Sequence, residues 1–162
     1  MNMTHYMELL ATNQPWNLII FMAIPVILAE TVAVSELFIL FGRNLSGGLR
    51  RLNKIAGIIA GFYFVGIFIY LFKTAVIPLT AGGEWRGIVD ILAVGFYLSG
   101  VIPLFGISLL EIGLLGRGKT EEEKLKLHAV FVAIFLVVAH VAMILGMLNP
   151  DIFTYGGSGM AM

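Results

Sequence analysis

The chain contains no cysteine. Thiolate metal sites, structural disulfides and iron–sulfur ligation are therefore excluded. Charge is also scarce. Only 12% of residues are charged, against about 25% in soluble domains. The formal net charge is zero, so nothing points to nucleic acid as a partner. The segment before the first apolar run, MNMTHYMELLATNQPW, has no Lys or Arg and no A-x-A cleavage site. It does not read as a signal peptide, and the first span is expected to be kept. No Ser/His/Asp arrangement, phosphate loop or H-E-x-x-H motif is present, so an enzyme acting by itself is not expected.

Apolar sequence dominates instead. Hydrophobic residues make up 59% of the 162 positions, and mean hydropathy is +0.97. Four stretches meet the length of about 20 residues that a membrane-crossing helix needs. They run over 16–42, 55–79, 87–115 and 127–149. The expected fold is all-α, a single domain over 1–162, with four transmembrane helices in an antiparallel bundle and the lipid bilayer as its surroundings. Eight basic residues lie in two linkers: Arg43, Arg50, Arg51 and Lys54, then Arg117, Lys119, Lys124 and Lys126. The middle linker holds only Arg86. The positive-inside rule puts the basic linkers in the cytoplasm and both termini outside. Trp16, Trp85, Phe153 and Tyr155 then fall at the outer boundary, where amphipathic aromatics are common.

Local signals agree with four helices. Pro15 suits a first turn, and Thr120 with Glu123 forms a capping box that starts the fourth helix near residue 121. Pro78 and Pro150 end the second and fourth spans. Pro25 and Pro103 sit inside the first and third, where each removes a hydrogen bond from the carbonyl four residues earlier, Phe21 or Ser99. Gly57-x-x-x-Gly61, with Gly66, offers a smooth face for close packing. Spans 1 and 3 share a mid-span proline followed by glutamate, a weak internal repeat. Residues 2–12 suit a short amphipathic surface helix with Met3, Met7 and Leu10 on one side.

Ionisable residues at bilayer depth are expensive and mark candidate sites. Lys73 and Asp90 fall level when the second hairpin is folded, which predicts a salt bridge near the outer surface. Glu36, Glu111 and His128 fall level near the inner surface. That set can bind a divalent metal, relay a proton or simply pair. Arg117 and Lys124 are at a depth to neutralise Glu111. Glu30 and His140 are central, about 20 Å and about 14 Å from the outer ends of their helices. A hydrogen bond between them is the plainest expectation.

His140, Met143 and Met147 share one helix face, and Met22 lies at comparable depth. Imidazole with thioether suits copper and haem iron. The alternative is that methionine only fills gaps in the core. Met1, Met3, His5 and Met7 alternate, as do Met160 and Met162. They are either soft Cu(I) ligands or apolar anchors. Haem b held by two histidines is not expected from this chain alone. His128 and His140 are about 18 Å apart along one helix and about 120° apart around it.

The stretch NQPWNLIIFMAIPVILAET, with the basic turn GGLRRLNKIAG, resembles small bacterial inner-membrane proteins labelled as permeases or as uncharacterised. The resemblance implies four helices and a bacterial inner membrane, and carries no activity onto any residue. Three functions are open to the sequence. The first is a metal or haem centre in the outer half, for metal handling or electron transfer. The second is a small proton- or cation-linked transporter using Glu30, Glu36, Glu111 and the histidines. The third is a structural subunit. Further copies of the chain or a larger membrane complex are the expected partners.

Overall fold

The computed structural model describes residues 3–43 and 45–153. All regular structure among them is helical. A short helix α1 (His5–Ala11) precedes four long ones. These are α2 (Trp16–Gly42), α3 (Gly48–Gly82), α4 (Ile88–Ile112) and α5 (Glu121–Met147), each long and apolar enough to cross a membrane. A 3₁₀ turn, Pro150–Phe153, follows. The protein is a multi-pass membrane bundle. α3 packs between α2 and α4, and α5 packs on α4 and on α2, closing a ring. One end carries the two basic linkers, and the other carries α1 and the 3₁₀ turn.

The second helix begins at Gly48, several residues before the apolar run at 55. Arg50, Arg51 and Lys54 are therefore helical. The fourth begins at Glu121, where the predicted capping box is formed: Thr120 Oγ1 accepts from Glu123 N, and Thr120 N donates to Glu123 Oε2 at 2.8 Å.

Pro25 shapes α2. Ile19–Ala23 is a π-helical turn, with Ile24 N donating to Ile19 O. Proline has no N–H to give, neither to Phe21 O in α register nor to Ile20 O in π register. Tyrosines from two other helices supply the missing donors. Tyr63 on α3 donates to Ile20 O at 3.0 Å, and Tyr97 on α4 donates to Phe21 O. An unpaired carbonyl at this depth costs several kcal/mol on the order-of-magnitude scale for lipid, so these hydroxyls tie three helices together. α3 has a second π turn, Phe72–Val76, ahead of Pro78. α4 is interrupted at Gly100, three residues before Pro103. Its first half packs mainly on α5 and its second half mainly on α3.

The glycine face acts at two of its three positions. A Cβ at Gly61 would stand 2.0 Å from Ser108 Oγ and 2.4 Å from Leu104 O. One at Gly57 would stand 2.8 Å from Ile107 Cγ2 and 3.2 Å from His128 Nε2. α3 and α4 can thus approach closely, and Ser108 Oγ reaches Gly57 O and Ile58 O, each at 3.0 Å. Gly66 faces open space.

α1 closes the terminal end. Its buried residues are Tyr6 and Leu10, one helical turn apart, whereas Met3 is exposed and Met7 only partly covered. The inward face therefore differs from the expected Met3–Met7–Leu10 side. Thr4 caps the helix and also donates from Oγ1 to Gly146 O at 2.7 Å, satisfying one of the free carbonyls at the end of α5.

Candidate functional site

The cluster at the basic-linker end, the inner cluster of the sequence reading, draws on all four long helices. Glu36 comes from α2, Arg50 and Asn53 from α3, Glu111 from α4 and His128 from α5. Each of them is buried. His128 Nδ1 is 3.2 Å from Glu36 Oε2, and His128 Nε2 is 3.3 Å from Glu111 Oε1. The first contact is aligned as a hydrogen bond and the second is not. His128 Nε2 and Glu36 Oε1 are left as buried polar atoms without a partner among the described residues. The imidazole fits there because Gly57 has no side chain.

Arg50 grips Glu111 with both ends of its guanidinium, Nη1 to Oε1 at 2.7 Å and Nη2 to Oε2 at 3.1 Å. It also reaches Asn53 Oδ1 at 3.1 Å and Glu121 at 3.2 Å. Asn53 Nδ2 in turn donates to Val32 O and Ser35 Oγ, both at 3.0 Å. This fork-to-fork pairing is the strong form of an ion pair and fixes Glu111 geometrically. Glu111 is thus neutralised from α3, not by Arg117 or Lys124 as its depth suggested. Lys124 pairs with Glu121 at 2.9 Å instead. Above the cluster, at the basic-linker end, a cavity of about 440 Å³ has Arg50 and Glu111 in its lining, with Arg51, Lys54, Glu121 and Lys124 around it.

The other expected pairs are not formed. Asp90 is fully buried, but its partner is not Lys73. His5 holds it through Nδ1 to Oδ2 at 2.5 Å and through its backbone N to Oδ1 at 2.6 Å, and Arg86 N donates at 3.2 Å. Lys73 lies in the π turn and is exposed, with no ion pair among the described residues. A regular hairpin would set Lys73 level with Asp90, but α1 brings His5 to Asp90 instead. Glu30 and His140 make no direct hydrogen bond. His140 Nδ1 bonds to Leu136 O at 2.6 Å, within its own helix, and both side chains are exposed.

Glu30 and His140 do line one groove of about 200 Å³ between α2 and α5. Met22 and Met143 are in the same lining, but Met147 is not, and Met147 is 71% exposed. The expected four-residue set of His140, Met143, Met147 and Met22 is therefore split. No group of three or more His, Asp or Glu is placed to hold a metal ion among the described residues. Met1, Met160, Met162 and Tyr155, and the side chain of Phe153, lie outside the described residues.

These positions sit in a chain whose full length, residues 1–162, matches a family described as a family of unknown function (DUF6803). The chain belongs to that family. No curated protein and no solved structure matches it. For this member of DUF6803, geometry is therefore the guide to function.

Residue reading overlooked Arg50, Asn53 and Ser35. Arg50 and Asn53 are one helical turn apart, and that i, i+3 spacing was the available signal. The polar stretch around them hides it, because the helix starts at Gly48, ahead of the apolar run. His5 stands among methionines in the sequence, and nothing local ties it to Asp90, 85 residues away.

Proposed function

We propose that the protein is a small proton-linked membrane transporter with Glu36, His128 and Glu111 as its proton-binding centre. The observation that supports this reading is a buried histidine set between two carboxylates from different helices, with Glu36 Oε1 and His128 Nε2 lacking hydrogen-bond partners among the described residues. A charge count explains the chemistry. With neutral His128, the group Glu36, Glu111, Arg50 and His128 carries one net negative charge. Protonation of His128 brings the count to zero. The centre therefore alternates between a net charge of minus one and zero as a proton is released or taken up. Histidine is the side chain suited to such switching near neutral pH. The cavity beside Arg50 and Glu111 opens onto one carboxylate of the centre, Glu111. By the positive-inside rule that cavity is cytoplasmic and both termini are external, in a bacterial inner membrane as the sequence resemblance implies.

The test is proton movement in liposomes that hold a pH-sensitive dye, under an imposed cation gradient. Wild type should move protons well above empty vesicles, and His128→Asn should fall to that background. Equal rates for wild type and His128→Asn would reject the reading.

A second reading, a metal or haem centre in the outer half, rests on His140, Met22, Met143 and Glu30 lining one groove. Copper suits the imidazole–thioether set, and haem b would need a further axial ligand. Metal content and an absorption spectrum of wild type and His140→Ala test it. Equal content in both removes it.

A further inference from the structure

The groove between α2 and α5 differs chemically from the inner cluster. Its walls are aromatic and apolar, with Phe21, Phe64, Tyr97 and Phe135 among them. No Lys or Arg lines it. Its polar groups present almost only lone pairs. Glu30 is a carboxylate with no protein partner among the described residues and an exposed side chain. His140 Nδ1 faces a carbonyl, which can only accept, so Nδ1 carries the hydrogen and the neutral ring offers Nε2 as an acceptor. Met22 and Met143 add weak acceptor sulfurs. The Tyr97 hydroxyl hydrogen is already given to Phe21 O. Only Tyr6 has a hydroxyl hydrogen to spare.

A groove of acceptors and ring faces repels an anion and gives a neutral carbonyl compound little to bond. It complements a cation with apolar substituents, through Glu30 and through the ring quadrupoles. We propose that this groove binds a lipophilic organic cation drawn sideways from the bilayer. The proposal names the substrate class for the transport reading above and rests on it for its purpose. Glu30 and Glu36 lie on the same helix, about 9 Å apart along its axis, so cation site and proton centre are near enough to be coupled through α2. The volume favours this occupant over a bare metal ion. About 200 Å³ is far more than an ion fills, and Met147 lies outside it.

The test is equilibrium dialysis of the full chain in detergent with tetraphenylphosphonium, with tetraphenylborate as the anion of the same shape. Binding should be saturable and specific to the cation. Glu30→Gln should weaken it about tenfold or more. Ala139→Phe, which fills the groove without altering charge, should do the same. Val130→Ala, on the exposed face of α5 and outside the groove lining, should leave it unchanged within about twofold. No saturable binding, equal binding of the borate, or binding indifferent to both groove variants overturns the proposal. So does Cu(I) held one per chain with no phosphonium bound, which returns the groove to a metal. Cross-linking between copies through cysteines at Val26 and Val138, again with no phosphonium bound, assigns it to a second copy and also overturns it. Phosphonium binding without proton movement in liposomes would leave this site standing and sink the transport reading alone.

Discussion

A histidine between two glutamates at the basic-linker end of the bundle is held by what surrounds it. Arg50 holds Glu111, Asn53 holds Ser35 and the α2 backbone, and Gly57 leaves the ring its space. Removing Arg50 would leave Glu111 buried without its counter-charge. Arg50→Ala should therefore destabilise the protein by on the order of 3 kcal/mol, read as a lower Tm in detergent. Arg50→Lys should recover only part of it, since a single ammonium cannot make the two parallel bonds. The pairing pattern predicts coupling as well. Glu36→Gln combined with His128→Asn should cost clearly less than the sum of the single losses. Glu30→Gln with His140→Ala should be close to additive, because these two side chains share a groove but no bond. Additivity in the first pair, or strong coupling in the second, would contradict the arrangement.

Helices meet at places where a side chain is missing or a backbone bond is lost. At Gly61 a Cβ would lie 2.0 Å from Ser108 Oγ, and backbone stands just behind it. Gly61→Ala should lower thermal stability sharply, whereas Gly66→Ala, facing open space, should be neutral or slightly stabilising through helix propensity. Tyr97→Phe removes the donor to Phe21 O at the proline break and should destabilise by about 1–3 kcal/mol, the cost of a buried acceptor left unpaired. α1 answers to pH. Burial pushes the Tyr6 phenol up to about 12 from its ordinary 10.0. The docked state thus favours the neutral phenol. Its contribution is intact below pH 10 and is lost as pH rises from about 10 toward about 12. Protease cleavage near α1 should accelerate across that window in wild type and much less in Tyr6→Phe.

As a whole the molecule has two unlike ends. One is open and charged, with the cavity that reaches Arg50 and Glu111. The other is stoppered by α1, which is fastened through His5 to Asp90, Glu8 to Arg86 and Thr4 to Gly146. A column of rings runs inward from it: Tyr6 to Tyr97 at 4.9 Å, Tyr97 to Phe64 at 5.4 Å and Phe64 to Phe135 at 5.8 Å between centroids. Orientation in the membrane is open to direct test. In intact cells, Glu84→Cys should react with a membrane-impermeant thiol reagent and Ser46→Cys should not. The reverse pattern would invert the topology.

Four spans, their antiparallel order and the helix start at Thr120 were legible in the residues, because hydropathy, length and capping are local properties that no tertiary contact has to supply. The level of Glu36, Glu111 and His128 was legible too, since depth follows from counting residues along a helix. Azimuth was not. Two π turns, in α2 and α3, and the break at Gly100 in α4 turn parts of those helices relative to regular ones, so which side chains face each other is settled by packing. That is why Asp90 takes His5 rather than Lys73 and why Arg50 rather than Lys124 neutralises Glu111; Met147 keeps the face it shares with His140 but lies two turns nearer the helix end, outside the groove. The amino-acid sequence by itself determined the bundle of four long apolar helices and the common level of Glu36, Glu111 and His128. Only the tertiary structure decided the partners, because an ion pair forms within about 4 Å, and helix rotation moves a side chain further than that.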